Sequence, residues 1–76
     1  MSSRLPVVSG EQLIRALQKV GYVQVRQRGS HVRLRHRTDP RRTPLSVPLH
    51  DELAPGLLRP TLRDAQLATE RLIELL

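Results

Sequence analysis

The chain has 76 residues, a length that predicts one domain, residues 1–76, with one modest core. Such a domain buries only about 60% of the surface that its unfolded chain exposes, which excludes a deep substrate pocket. The absence of cysteine excludes disulfides and cysteine-based zinc sites. No stretch approaches the ~18 apolar residues of a membrane-spanning helix, and no apolar run of signal-peptide length opens the chain. We therefore expect a cytoplasmic protein with no membrane partner.

The net charge of +6 is unevenly distributed along the chain. Twelve of the thirteen basic residues are arginine, and the segment from Gln12 to Thr38 has seven basic residues and no acid. Guanidinium groups bind phosphate oxygens bidentately, whereas lysine acts as a point charge. A scattered positive charge usually serves only solubility, but a cluster made of arginine favours an anionic polymer as partner.

The segment VSGEQLIRALQKVG predicts the first helix. Ser9 is the expected N-cap, and Gln12 completes a capping box with it. Val8 and Leu13 have the spacing of a hydrophobic staple, and Gly21 is the expected C-terminal stop. An apolar stripe runs along the helix at helical spacing through Leu13, Ile14, Leu17 and Val20.

Two segments, YVQVRQRG and HVRLRHR, alternate with period two and predict a hairpin that turns at Gly29–Ser30. In the second segment Val32 and Leu34 are expected to face the core. The residues expected opposite them are His31, Arg33, Arg35 and Arg37. In the first segment Val23 and Val25 are expected to face the core. The residues expected on the solvent side there are Tyr22, Gln24, Arg26 and Arg28.

A second turn at Asp39–Pro40 leads to a third strand, PLSVPLH, which Pro48 should end or confine to an edge. Helix follows from Pro55, with Pro60 as an irregularity. A break near 67–69 should precede a short last helix capped by Thr69. We predict an α+β fold of order α-β-β-β-α, in which an antiparallel three-stranded sheet carries helices on one face and leaves its arginine face open.

The three histidines do not form a metal site by their spacing. His31 and His36 are five residues apart on one strand, so they should project to opposite faces. No HExxH-like ligand spacing is present, and we expect neither a metal nor another cofactor. His36 should be a boundary residue that makes one hydrogen bond, and His50 should be structural.

His31 differs because it shares a face with Arg33 and Arg35 and follows a tight turn. We expect its imidazole to be available as a base. Such a base could accept the proton of a ribose 2′-hydroxyl while arginines hold the phosphate. Spacing alone leaves catalysis and simple RNA contact equally open. With no Phe or Trp and with Tyr22 alone, an RRM is excluded and a stacking-based single-strand binder is disfavoured.

The chain resembles the HicA-type toxins, the mRNA interferases of bacterial toxin–antitoxin pairs. The resemblance spans almost the whole sequence. Its most specific elements are the triplet Gly29-Ser30-His31 after a basic strand and V-P-x-H at Val47 to His50. Further matching segments are LPVVSGEQLIRALQKVGY and ELAPGLLRPTLRDAQL.

This resemblance implies a double-stranded-RNA-binding-like fold, cleavage of mRNA without a metal, His31 as the catalytic residue, and silencing by a HicB-like antitoxin. The residues expected to bind the RNA are Arg26, Arg28, Ser30, Arg33 and Arg35. Two positions depart from the family pattern: Pro60 replaces a small or polar residue, and Gln66 replaces a common glycine. Both concern helix geometry and leave the triplet intact.

A non-catalytic RNA-binding module on the same fold is the alternative function. A DNA-binding regulator is less favoured, because both long helices are expected to pack on the sheet and neither is free to enter a groove. The sequence does not predict the oligomeric state or the RNA sequences that are recognised.

Overall fold

The structure is a computed structural model that describes residues 4–76, so the first three residues of the predicted domain lie outside the described part. Its elements are α1 (Gly10–Lys19), β1 (Tyr22–Arg28), β2 (His31–His36), β3 (Leu45–Pro48), α2 (Pro55–Asp64) and α3 (Thr69–Leu75). The predicted α+β class and the α-β-β-β-α order are confirmed, with the last helical region divided in two.

Helix α1 begins as its sequence predicts. The Ser9 side chain accepts from the Gln12 N–H at 3.1 Å, and the Gln12 side chain accepts from the Ser9 N–H at 2.9 Å. Val8 and Leu13 are both buried in the core, as the staple requires. Gly21, at φ +103°, follows the helix in a conformation that disfavours side chains with a Cβ.

The three strands form an antiparallel sheet in the order β1-β2-β3. On β2 the predicted alternation is confirmed: Val32 and Leu34 are buried, and His31, Arg33 and Arg35 are exposed. Strand β3 is an edge strand that ends at Pro48. Helices α1 and α2 pack on the face of the sheet that carries Val32, Leu34, Leu45 and Val47.

The prediction for β1 was wrong. Tyr22 is buried, whereas Val23 and Val25 are 37% and 51% exposed. A β-bulge lies between Gln24 and Arg26, because Gln24 pairs with Leu34 while Arg26 pairs with the next residue, Arg33. The extra residue shifts the alternation, so Arg26 and Arg28 still reach the open face as predicted.

Helix α2 begins at Pro55, and Pro60 lies inside it. The helix ends in a Schellman motif: the Leu67 N–H donates to the Leu62 carbonyl at 2.9 Å, and the Gln66 N–H donates to the Arg63 carbonyl at 3.0 Å. Gln66 occupies the left-handed position of this motif at φ +55°. This conformation explains why a glycine is expected there.

The predicted cap of α3 was also wrong. Ala68 is the N-cap, Thr69 is the first helical residue, and no side chain makes a capping hydrogen bond. Leu72 anchors α3 because it is fully buried in the core. The Lys19 ammonium also donates to the Leu75 carbonyl at 2.7 Å and joins the end of α1 to the end of α3.

Candidate nucleic-acid interface

The open face of the sheet holds a depression of about 580 Å³. It is lined by Val25, Arg26, Arg28, His31, Arg33, Arg35 and Ser46. Every one of these residues is exposed, and none of them is acidic. The depression is therefore a concentration of positive charge beside a single imidazole, accessible from solvent along its whole length.

Strand pairing arranges this surface in rows. In one row His31 has Arg28 on one side and Pro48 on the other. In the next row Arg33 lies between Arg26 and Ser46. Directly opposed residues have Cβ atoms about 4.5–5.5 Å apart, and residues two apart on a strand are separated by about 6.8 Å. A phosphate over His31 is consequently within reach of the long side chains of Arg28 and Arg33.

The turn before His31 has the pattern of a type II′ hairpin, with a positive φ of +58° at Gly29, its first residue. The space above Gly29 is open, because a Cβ there would meet nothing within 4 Å. A polymer backbone can thus approach the turn closely. The Gln27 side-chain amide donates to the Gly29 carbonyl at 3.1 Å and braces the turn.

The V-P-L-H segment holds the turn from the other side. The Leu49 N–H donates to the Ser30 carbonyl at 2.7 Å. The next residue, His50, accepts from the Gly10 N–H at 2.9 Å through its backbone carbonyl. Gly10 lies so close to the Pro48 carbonyl that no Cβ would fit between them. The N-terminus of α1 therefore supports the strand end that positions the turn before His31.

The structure brings together five of the six residues predicted for the site, namely His31, Arg26, Arg28, Arg33 and Arg35. The sixth, Ser30, is exposed in the turn beside the depression and does not line it. Ser46 and Val25 line the depression but were not predicted. The alternation of Leu45 and Val47 already places Ser46 on the open face, whereas no sequence signal marks the bulge that exposes Val25.

His36 lies on the opposite side of the sheet, as predicted, and its role is structural. Its Nδ1 accepts from the N–H groups of Thr38 at 3.3 Å and Asp39 at 3.0 Å, two hydrogen bonds where one was expected. Its ring meets the Tyr22 ring edge-on, with centroids 5.2 Å apart. The ring also occupies the space that a Cβ on Gly21 would need. His36 thus shapes the loop that joins β2 to β3.

Tyr22 and Asp39, two titratable groups in this region, have shifted pKa values. Burial raises the pKa of Tyr22, and the nearby Arg42 opposes part of that rise. The pKa of Asp39 is lowered, first by the hydrogen bond from the Arg41 N–H and then by the guanidinium groups of Arg41 and Arg42. Arg42 also donates to the Ala65 carbonyl at 3.0 Å, so the loop is tied to the end of α2.

Among residues 4–76, no cluster of three or more His, Asp or Glu side chains is arranged to hold a metal ion. Within that same range, no helix is long and apolar enough to cross a membrane.

The structure defines a class of small α+β proteins in which helices cover one face of an antiparallel three-stranded sheet and arginines line the other. Within that class, the sequence identifies the family. A family model described as the HicA toxin of bacterial toxin–antitoxin systems matches residues 10–67, from the start of α1 to the end of the Schellman motif, and the chain belongs to this family. No curated protein matches the chain in a sequence comparison. The chain is accordingly a toxin of the toxin–antitoxin type.

Proposed function

We propose that this toxin is an endoribonuclease that cleaves mRNA without a metal, with His31 as its general base. The observation that carries the proposal is the position of His31, an exposed imidazole in a depression whose four charged neighbours are all arginines. A surface that only bound the RNA backbone would need the arginines and not the imidazole.

The chemistry is an attack by the ribose 2′-hydroxyl on the adjacent phosphodiester. His31 accepts the proton of this hydroxyl, a bond forms between O2′ and phosphorus, and the bond from phosphorus to O5′ breaks. The products are a 2′,3′-cyclic phosphate and a 5′-hydroxyl, the latter completed by a proton from a second donor. A positioned general base contributes typically about 10²–10⁴-fold to such a step.

The arginines stabilise the negative charge that builds on the phosphate. Arg28, beside His31 on the neighbouring strand, and Arg33, two residues along the same strand, are the closest in the register. Arg26 and Ser46 flank Arg33 and extend the set of donors. Donors that are already in place before the reaction cost no reorganisation when the charge develops, which is why such groups lower the barrier.

The proposed partner in the cell is a HicB-like antitoxin that carries acidic side chains and covers the depression. A cationic face with a reactive histidine is silenced most directly by occupying the surface that RNA needs. Complementary charge would speed the encounter and make the on-rate fall as salt rises. Lasting affinity needs apolar contacts as well, and the exposed Val23 and Val25 offer them on the same face.

The test of the enzyme against a purely RNA-binding module is cleavage of a long, end-labelled RNA by the purified chain with and without EDTA. The proposal predicts a ladder of fragments that persists in EDTA and whose 5′ fragments end in a cyclic phosphate. Retarded but intact RNA would support the binding module and refute the enzyme. A ladder that EDTA abolishes would refute the metal-free mechanism.

Occlusion by the antitoxin is tested by competition on the His31→Ala variant, which cannot consume the RNA. Saturation with the antitoxin should prevent labelled RNA from binding. A stable complex of variant, antitoxin and RNA would show that inhibition works by a route other than covering this face.

A further inference from the structure

We propose that the RNA is a single strand that lies lengthwise along β2, with the scissile phosphate at the His31 end. Its contacts then extend to one side only, over Arg33, Arg35 and a further subsite at Arg37. The inference rests on the proposed function and adds two features to it. These are the side of the scissile phosphate on which the RNA is bound, and Arg37 as the fourth residue of the row. It predicts that the enzyme needs nucleotides on one side of the cleaved bond and not on the other.

The first support is a ladder of side chains on a single strand. His31, Arg33 and Arg35 alternate with the buried Val32 and Leu34 and therefore point to the open face. Arg37 continues the alternation just beyond the end of β2, and its N–H donates to the Gly21 carbonyl at 2.7 Å, so its backbone is held beside the sheet. Adjacent members are about 6.8 Å apart, and the whole row spans about 20 Å.

The second support is that two depressions meet at Arg35. The one that contains His31 includes Arg35 at its far end, and a second depression of about 230 Å³ is lined by Arg35, Arg37 and the loop that follows. This loop contributes one carboxylate, Asp39, which is paired with Arg41 and Arg42. Arg42 also lines this second depression, but its guanidinium group is engaged with the Ala65 carbonyl and Asp39. Arg37, which is exposed, is thus the cation there best placed to meet a phosphate.

The third support is the charge at the opposite end of the strand. Beyond His31 the hairpin turns back, and the chain that follows β3 runs beside the turn, as the hydrogen bond from Leu49 to Ser30 shows. This chain continues directly into Asp51 and Glu52, both exposed. Two carboxylates disfavour a polyanion at that end, whereas at the other end the single carboxylate, Asp39, is outnumbered by arginines. The charge gradient along β2 therefore points the RNA toward Arg37.

The test uses oligodeoxynucleotides that contain one ribonucleotide, so that only one bond carries the 2′-hydroxyl needed for cleavage. The DNA on each side of the ribonucleotide forms one arm of the substrate, and each arm is shortened in turn from six nucleotides to one. Shortening one arm should lower kcat/KM by about 4- to 25-fold, since the phosphate contacts of Arg35 and Arg37 are each worth about 2- to 5-fold, as exposed ion pairs are. Shortening the other arm should change kcat/KM little. Equal losses on both arms, or no loss on either, would overturn the inference.

Arg37→Gln and Arg41→Gln form a matched pair of variants. Each removes one charge from the same loop, but Arg41 is 90% exposed and its guanidinium group pairs with Asp39. The difference in kcat/KM between long and short substrates should shrink by about 2- to 5-fold in Arg37→Gln. Arg41→Gln should retain the full difference. Equal effects of the two variants would indicate general electrostatic attraction and would refute the subsite.

A binding measurement separates failure of this inference from failure of the proposed function. The affinity of the His31→Ala variant for uncleavable oligodeoxynucleotides should rise with length up to about four nucleotides. If the wild-type protein cleaves no RNA, the proposed nuclease activity is wrong, and the length dependence of binding still tests the proposed path along β2. If the affinity does not rise with length, the proposed path of the RNA along β2 is wrong, whether or not the protein is a nuclease.

Discussion

Replacement of Gln66 by glycine is expected to stabilise the protein. Gln66 holds φ at +55° in the Schellman motif that ends α2, where its N–H donates to the Arg63 carbonyl. An L-residue with a Cβ pays roughly 1–2 kcal/mol for this left-handed conformation. Glycine avoids this penalty but loses about 0.5–1 kcal/mol through the greater freedom of the unfolded chain. The middle values of these two ranges leave a net gain of about 0.75 kcal/mol, because both backbone hydrogen bonds of the motif are retained.

Thermal unfolding followed by circular dichroism measures this gain. For a domain of this size 1 kcal/mol shifts Tm by about 4–8 °C, so Gln66→Gly should raise Tm by about 3–6 °C. Gln18→Gly is the matched control, since it makes the same substitution on the exposed side of α1, where φ is helical. The control should lose about 0.5–1 kcal/mol. A Tm for Gln66→Gly at or below that of the wild type would refute the account of this helix end.

The remaining predictions concern charge, pH and packing. Each single Arg→Gln change at position 26, 28, 33 or 35 should remove one phosphate contact. On a single strand this loss should reduce the slope of log K for RNA against log salt by about 0.7, which anisotropy titrations would measure. Unchanged slopes would contradict contact with the RNA backbone. The pKa of Asp39 in the folded protein lies below its usual 3.8, so its contribution to stability is present above that pH and is lost as the pH falls. In a plot of the urea unfolding midpoint against pH, Asp39→Asn should therefore flatten the decline on the acid side. Burial raises the pKa of Tyr22 above 10.0, so its contribution to stability is present below pH 10 and is lost as the pH rises. Tyr22→Phe should therefore flatten the decline of the same plot on the alkaline side. A decline that either variant leaves unaltered would argue against the role assigned to that residue. Gly21→Ala should cost at least about 1–3 kcal/mol by urea unfolding, because φ is +103° and the new Cβ would approach the His36 Nε2 to 2.6 Å; a variant as stable as the wild type would mean that the His36 ring has room to move.

The sequence predicts the parts of the fold in which local pattern and burial agree. On β2 the buried residues Val32 and Leu34 are apolar, the residues that face solvent are polar, and only His36 at the strand end departs from this pattern, so period two determines the register. On β1 the two signals conflict: the exposed face carries Val23 and Val25, and the residues paired opposite the buried Leu34 and Val32 are glutamines, Gln24 and Gln27. Apolar alternation therefore favours the wrong face, and only the pairing with β2 reveals the bulge.

The candidate site could be predicted where it depends on the hairpin alone. His31, Arg33 and Arg35 follow from the turn and from period two. Ser46 belongs to the site only because β3 lies beside β2, and strand order is a tertiary property. Likewise, only the structure explains why glycine is preferred at position 66, because it shows that the backbone there is left-handed.

The central claim is that His31 performs the chemistry and the arginines bind the strand. The measurement that tests it most directly is kcat/KM for RNA cleavage by His31→Ala relative to the wild type in EDTA. His50→Ala is the control, since that histidine is also exposed but lies outside the depression. The account predicts that His31→Ala loses about 10²–10⁴-fold while its unfolding midpoint and RNA affinity stay near wild type, and that His50→Ala keeps its activity. Cleavage by His31→Ala at the wild-type rate would contradict the account.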